Sequence, residues 1–442
     1  MAPVEYFVSD SVRQRIRAKE EKNVRGRNAG RWGIGVVVWY VTFGTVAGWA
    51  QETAPAAEAE APAKPSAWSP VEAVGLAAPL KDYLGIEIHG LVVGNWTWNF
   101  NNPNNGKNGL LLMNRREDQM ALDLANIRIQ RNVDGEIGFV TDLNFGQTAE
   151  VVGRTTRWCG NPKCGMSRDS FDISQAYLTY KFPIGEGLSI KAGKWATLHG
   201  AEVIKTWDNI NYNISDSILF GYAIPFTHTG LLLNYPFFDW LSMDAGFIVG
   251  WDDVYNNNDG YSGTGGLTII PPIDNLTLYL AETFGPEQNN GGYSTRLLFT
   301  ALATYKPIDR WTFILDFDNG NESNVVPPCN PSGRCTNDAR WTGLAGYVIY
   351  QFTDKLTGTL RSEFFDDVDG VRTGTKQTLW EITPTLTYEF FPGFKFRAEY
   401  RHDESNQKYF QGVALTNPSP DGPTTRFFRG QDTVSWEFSY AF

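Results

Sequence analysis

The residues able to do chemistry in this 442-residue chain are few and unevenly placed. There are four histidines, His89, His199, His228 and His402. A rim-active hydrolase needs an imidazole beside a nucleophile and an orienting carboxylate. His89 has no serine nearby in sequence, and His402 shares the parity of Phe394, Phe396 and Tyr400, an apolar face. His199 and His228 have threonine neighbours and read as structural hydrogen-bonders. The four cysteines form two close pairs, Cys159/Cys164 in "CGNPKC" and Cys329/Cys335 in "CNPSGRC". These gaps are wider than C-x-x-C and no histidine is close, which disfavours zinc. Four cysteines allow three connectivities, and proximity favours two local disulfides formed after export. "WDDVYNNNDG" from Trp251 offers oxygen ligands, but it lacks the D-x-[DN]-x-[DN]-G order of a calcium loop and reads as a solvated turn. No catalytic group, metal or cofactor is expected.

Those residues must be held by something, and the pattern that holds them is alternation. In "TVSWEFSYAF" Val434, Trp436, Phe438, Tyr440 and Phe442 share one parity, while Ser435, Glu437, Ser439 and Ala441 share the other. Successive side chains of a strand point to opposite faces. The same pattern recurs at Ile86/Ile88/Val92/Trp96/Trp98, at Leu241/Met243/Ala245/Phe247 and at Phe394/Phe396/Ala398/Tyr400. Sixteen such segments begin near residues 85, 119, 136, 171, 187, 217, 240, 264, 276, 294, 310, 340, 355, 377, 393 and 431. The one near 264, "TGGLTIIPPI", is short and ends on proline, so 14 or 18 strands is the alternative count. All the others are long enough to cross the hydrocarbon, which takes about 9–11 tilted residues.

Connections alternate in length. Short turns such as "NVDG", "PIGEG", "KPIDR" and "FFPG" alternate with polar loops at 101–118, 147–170, 197–216, 252–263, 284–293, 319–339, 366–376 and 404–430. That is an up-and-down sheet with one plain edge and one elaborated edge. Aromatics make up 14% of the chain, yet mean hydropathy is −0.31, which excludes a helical membrane protein and fits alternating strands. The polar face is rich in Thr, Ser, Gly, Asn and mixed charge, and the apolar face carries Trp, Tyr and Phe toward strand ends. Grease therefore points into lipid and polarity inward around water. Lipid tolerates no unpaired strand edge, so the sheet must close, the last strand on the first. The expected fold is an all-β transmembrane antiparallel barrel over residues 84–442.

The N-terminus reads as an export signal. Eight basic residues, among them Arg13 and Arg31, precede "WGIGVVVWYVTFGTVAGWA", with small Gly48 and Ala50 before a cut at Gln51. An uncleaved anchor helix is the alternative. Residues 51–83 are Ala/Pro/Glu-rich and read as a linker. The net charge is −11, and beyond residue 50 there are 30 basic against 45 acidic residues. Nucleic-acid binding is excluded. The terminal Phe442 resembles the signal read by the bacterial barrel-insertion machinery, which places the barrel among outer-membrane lipid.

A stretch in the middle narrows this further. Gly193, Gly200, Glu202, Asn213, Ser215, Pro225, Phe226, His228, Gly230, Gly250, Trp251 and Asp252 resemble the OmpL-like group of β-barrel porins, with Val249 departing from an expected asparagine. The resemblance is dense over residues 190–260 and implies a diffusion channel for small hydrophilic solutes or ions. In sixteen-stranded porins the third loop folds into the lumen. By that likeness "LHGAEVIKTWDNINYNISD" is the candidate constriction, with Glu202, Lys205 and Asp208 as charged members. Facing lumen charges would come from Lys181, Lys191, Arg361, Lys395, Arg397 and Arg401, and from Arg128 and Arg296. The competing readings are a solute-specific channel, or a rim enzyme or adhesin. Porins of this size are often trimers, which makes a homotrimer an expected assembly.

Overall fold

A computed structural model describes residues 77–133, 135–155, 170–288, 294–329, 335–414 and 425–442. The proposed signal, nearly all of the linker, and Cys159 and Cys164 lie outside the described residues. A short helix, α1 (Ala77–Leu84), leads into the first strand. The strands are β1 (Ile86–Asn99), β2 (Gln119–Arg131), β3 (Gly138–Phe145), β4 (Phe171–Phe182), β5 (Leu188–Ala196), β6 (Thr227–Phe238), β7 (Leu241–Ile248), β8 (Ser262–Ile269) and β9 (Leu276–Pro286). They continue as β10 (Thr295–Tyr305), β11 (Trp311–Cys329), β12 (Cys335–Gln351), β13 (Leu356–Asp367), β14 (Gln377–Phe391) and β15 (Phe394–Ser405). A small hairpin follows, β16 (Phe410–Ala414) with β17 (Thr425–Phe428), and then β18 (Gly430–Ala441). A helix α2 (Gln147–Thr155) sits in the second long loop.

Sixteen of these strands close into one antiparallel barrel, each beside its sequence neighbour, with β18 joining β15 to β1. Closure is in register: Trp96 faces Trp436, and Val93 faces Ser439. Gly90 and Phe442 exchange both backbone hydrogen bonds at 2.9 Å. A Cβ at Gly90 would lie 2.3 Å from the Phe442 ring, so only glycine lets the terminal aromatic lie flat on the seam.

Burial alternates as the parity requires. On β14, Gln377, Leu379, Glu381, Thr383 and Thr385 are covered, while Trp380, Ile382, Leu386 and Tyr388 are exposed. Exposed rings gather at both ends of the wall. Tyr180/Phe182, Tyr235/Phe237, Phe238/Trp240 and Trp311/Tyr350 belt the short-turn end, with Trp96/Trp436 and Trp98/Phe100 at the other. Two aromatic belts flanking an aliphatic band are how a wall meets both faces of a bilayer.

Four expectations need correcting. The sixth strand begins at Thr227 rather than near 217, because Leu219–Ala223 forms a π-helical turn whose Leu219, Phe220 and Ala223 bury inside the barrel. The segment near 264 is not alone in being short: β3, β7 and β8 have eight residues each and β5 has nine. The loop expected at 319–339 is mostly strand. β11 and β12 run to 19 and 17 residues and keep pairing as far as a Cys329–Cys335 disulfide at the tip. Finally, the interior is not uniformly polar. Trp195, Trp341, Phe365 and Leu379 point inward and cluster with Ile218, Leu219, Phe220 and Phe226 of the third loop and with Leu110, Val152 and Phe410 of others. Parity marks these wall positions as inward, but their partners come from loops that no strand pattern locates.

Candidate functional site

After β5 the chain turns into the lumen and returns only at β6. The neck is tied where it leaves the wall: Thr197 N donates to the Phe226 carbonyl at 2.9 Å, and His228 Nε2 meets Thr197 Oγ1 at 3.1 Å. Asp252 Oδ1 accepts from the backbone of Phe226 and Thr227 at 2.6 and 2.9 Å. Burial pushes the Asp252 carboxyl up to about 6, against the pull of those two amides. Gly200 makes the first bend with φ of +83°, where a Cβ would also lie 2.6 Å from Ile224.

A loop inside a barrel has no sheet to pair with, yet buried backbone groups need partners. Here the wall's charged side chains supply them. Glu399 accepts from Ile214 N and Ser215 N at 2.6 and 2.9 Å, and Glu363 from Ile218 N and Leu219 N at 2.6 and 3.1 Å. Arg361 donates to the Ser215 carbonyl at 2.7 Å, Arg401 to the Asp216 carbonyl at 2.7 Å, and Arg397 to the Asn213 carbonyl at 2.8 Å. Carboxylates take the amides and guanidiniums take the carbonyls, so the segment 213–219 is laced to β13 and β15 residue by residue.

The three charged residues expected on this loop are all in contact with the wall. Glu202 accepts from Arg361 at 2.8 Å, from Tyr347 Oη at 3.0 Å and from Ser217 N at 2.7 Å. Lys205 reaches across to Asp123 of β2 at 2.9 Å and Glu437 of β18 at 3.2 Å. Burial works against the Lys205 charge, but those two carboxylates outweigh it and raise its pKa. Asp208 lies 3.7 Å from Arg128, which is itself paired to Asp142 at 2.6 Å. Beside them Trp207 stacks on His89 of β1, with centroids 3.8 Å apart and planes 10° from parallel.

The expected lumen charges lie in four places. Arg128, Arg361, Arg397 and Arg401 meet the loop and are almost wholly covered. Lys181 and Lys395 sit at the short-turn end, beside the turns that close β4–β5 and β14–β15. Lys191 lies between, 5.2 Å from the Tyr177 ring and lining a crevice with Val203, Ile204 and Thr206. Arg296 is at the opposite end, paired to Glu322 at 2.8 Å and 4.6 Å from the Trp251 ring.

His199 heads a hydrogen-bonded chain whose directions can be worked out. Thr300 donates to Asp318, so it accepts from His199 Nδ1 at 2.7 Å. Nε2 is then the acceptor, from Thr283 at 2.8 Å, and Thr264 completes the chain to Thr283 at 2.7 Å. Burial keeps His199 well below its ordinary pKa, hence neutral, as this direction requires. It is a structural bond-maker with no serine in reach.

Sequence reasoning missed Glu363, Glu399, Asp123 and Glu437 as loop anchors. A signal was present: the inward positions of β15 read Lys395, Arg397, Glu399, Arg401, Asp403, mixed charge where only small polar residues would suffice.

The family model described as "Putative beta-barrel porin-2, OmpL-like" matches residues 85–442. Among solved structures, the fold is similar to an anion-selective porin from Comamonas acidovorans, at 9% identity and TM-score 0.51, covering 81% of this chain and 99% of that one. It is also similar to the trimer form of OmpT, an outer membrane protein of Vibrio cholerae, at 10% identity and TM-score 0.50, with 81% and 99% covered. A comparison with curated proteins finds no match.

Proposed function

The chain belongs to the OmpL-like beta-barrel porin-2 family and is an outer-membrane porin, and we propose that residues 197–226 form the constriction through which small hydrophilic solutes and ions diffuse. The observation that carries this reading is the lacing of the loop across the lumen, from Ala201 N on Asp316 of β11 (2.7 Å) to Lys205 on β2 and β18. Whatever passes must go by it, and charge in a narrow passage governs what passes. Planar-bilayer recording tests the idea. The double variant Glu202→Gln, Arg361→Gln loosens the lacing and should raise single-channel conductance; unchanged conductance from a folded barrel would discard the loop as the limiting element.

A second reading, a channel for chosen solutes, is favoured by one feature. Inward residues at mid-barrel such as Arg361, Arg401 and Thr300 are 0% exposed, so no wide water column stands beside them. Block of the ion current by one solute but not by its isomers would support it. Neither reading needs catalysis, and an enzyme is not proposed.

Around the barrel, residues 1–50 are proposed as a cleaved signal and 51–83 as a periplasmic linker, with Gln51 as the N-terminus seen by mass spectrometry. Cys159 and Cys164 are proposed to pair locally like Cys329 and Cys335. A homotrimer is proposed because Glu282 is exposed on the outer wall, between Leu280 and Phe284 and across from Gly265. Its carboxylate has no hydrogen-bonding or ionic partner among the described residues, and lipid solvates a carboxylate poorly.

A further inference from the structure

The inward surface is lopsided in charge. Among the described residues, 18 carboxylates but only six lysines and arginines are buried. The six bases are Arg128, Lys194, Lys205, Arg361, Arg397 and Arg401. Four of them hold the third loop, and every one has a carboxylate within ion-pair distance.

The wall from β6 to β12 is different. Its inward positions carry Asp244, Asp316, Asp318 and Glu322 against one base, Arg296, which Glu322 already neutralises. Among the described residues, Asp316 and Asp318 have no basic side chain in ion-pair contact. Asp316 Oδ2 accepts from Ala201 N, and Asp318 Oδ1 accepts from Thr300, but Asp316 Oδ1 and Asp318 Oδ2 are buried without a hydrogen-bond partner among the described residues. Hydroxyls of Thr264, Thr283 and Thr300 line the neighbouring strands. Oxygen atoms with negative charge and unused lone pairs, set among hydroxyls, are the coordination a hard monovalent or divalent cation seeks.

We infer that this channel is cation-selective, and that Asp316 and Asp318 of β11 are the residues that make it so. Cations are drawn past the loop on the β11 side, where the carboxylate oxygens stand in for lost hydration water, and anions meet uncompensated negative charge. The lysines at the short-turn end, Lys181 and Lys395, act in the opposite sense but lie on the approach, while Lys191 meets the loop at Val203, Ile204 and Thr206, away from β11. The inference rests on the porin reading.

The test is the reversal potential of the full-length protein in a planar bilayer under a KCl gradient. The wild type should pass K⁺ in preference to Cl⁻. Asp316→Asn with Asp318→Asn should lower that permeability ratio about fivefold while current persists, the factor that ~1 kcal/mol represents, as for two unit charges about 4 Å apart in water. Should the double variant fail to fold, the wild type alone suffices. Its preference should shrink between 0.1 M and 1 M KCl as the Debye length falls from about 10 to about 3 Å. Open channels that prefer Cl⁻, show no preference, or keep their ratio in the folded double variant overturn the inference and leave the porin reading standing. A folded barrel that passes no current overturns the porin reading itself, and selectivity falls with it.

Discussion

The two sides of the lumen use similar residue types for opposite ends. On β13, β15 and β18, carboxylates alternate with arginines, and nearly every polar atom is engaged with the third loop or a neighbour: Arg361 with Glu202 and Glu381, Arg397 with Glu437, Arg401 with Asp403. On β7 and β11, Asp244 and Asp318 have tyrosine and threonine hydroxyls beside them instead, and one oxygen each of Asp316 and Asp318 is unpartnered among the described residues. A buried charge costs several kcal/mol unless paired. The first side therefore reads as a scaffold that fixes the loop, and the second as a surface whose charge is left for what moves past it.

The largest test of that contrast is Arg361→Met. It removes a buried cation from between Glu202 and Glu381 and should cost about 3–5 kcal/mol, the usual result of breaking a buried pair from one side. Urea unfolding in detergent micelles, followed by tryptophan fluorescence, would measure it. If the loss is below 1 kcal/mol, roughly the level of a surface pair, the scaffold is not where we place it. Glu363→Ala is the next step down. It orphans the amides of Ile218 and Leu219 and should cost about 1–3 kcal/mol, with a wider spread of conductance levels as the loop loosens.

Acidity gives a third handle, at Asp216. Burial pushes this carboxyl up to about 7, with Lys205 and Arg361 pulling it down and Glu202 and Asp123 pushing it further up. Its folded pKa thus exceeds the unfolded value of 3.8, so the folded state holds the proton more tightly. The contribution to stability is complete below the unfolded value and is lost as pH rises through about 7. Wild type should lose more stability than Asp216→Asn between pH 5 and pH 8, and parallel curves would remove Asp216 from the account. Trp207→Ala, which takes away the His89 stack, should cost about 0.5–1.5 kcal/mol beyond lost area. Smallest of all, Lys181→Gln at the short-turn end should stay within about 0.5 kcal/mol, since that side chain is exposed.

How much of this was legible beforehand follows from the period of a strand. Alternation over two residues is a local signal, and it located fifteen of the barrel strands to within a few residues; only β6 began later than expected. "SILFGYAIP" misled because an apolar run looks the same whether it crosses a wall or packs inside one. Loop position has no such period. Glu202 and Lys205 could be named from a resemblance, but not that Glu202 meets Arg361, 159 residues away in the chain. Glu363 and Glu399 were visible only as inward carboxylates. Their job, holding amides of a segment more than 140 residues distant, is a tertiary fact.

The seam between β1 and β18 has a consequence for maturation. Because β18 is bonded to β15 on one flank and β1 on the other, no shorter run of strands makes a wall without two raw edges in the bilayer. Assembly must wait until the two extremes of the sheet meet. A nascent sheet stalled before that moment would be a magnet for other unpaired edges, and quality control has a single, late event to watch.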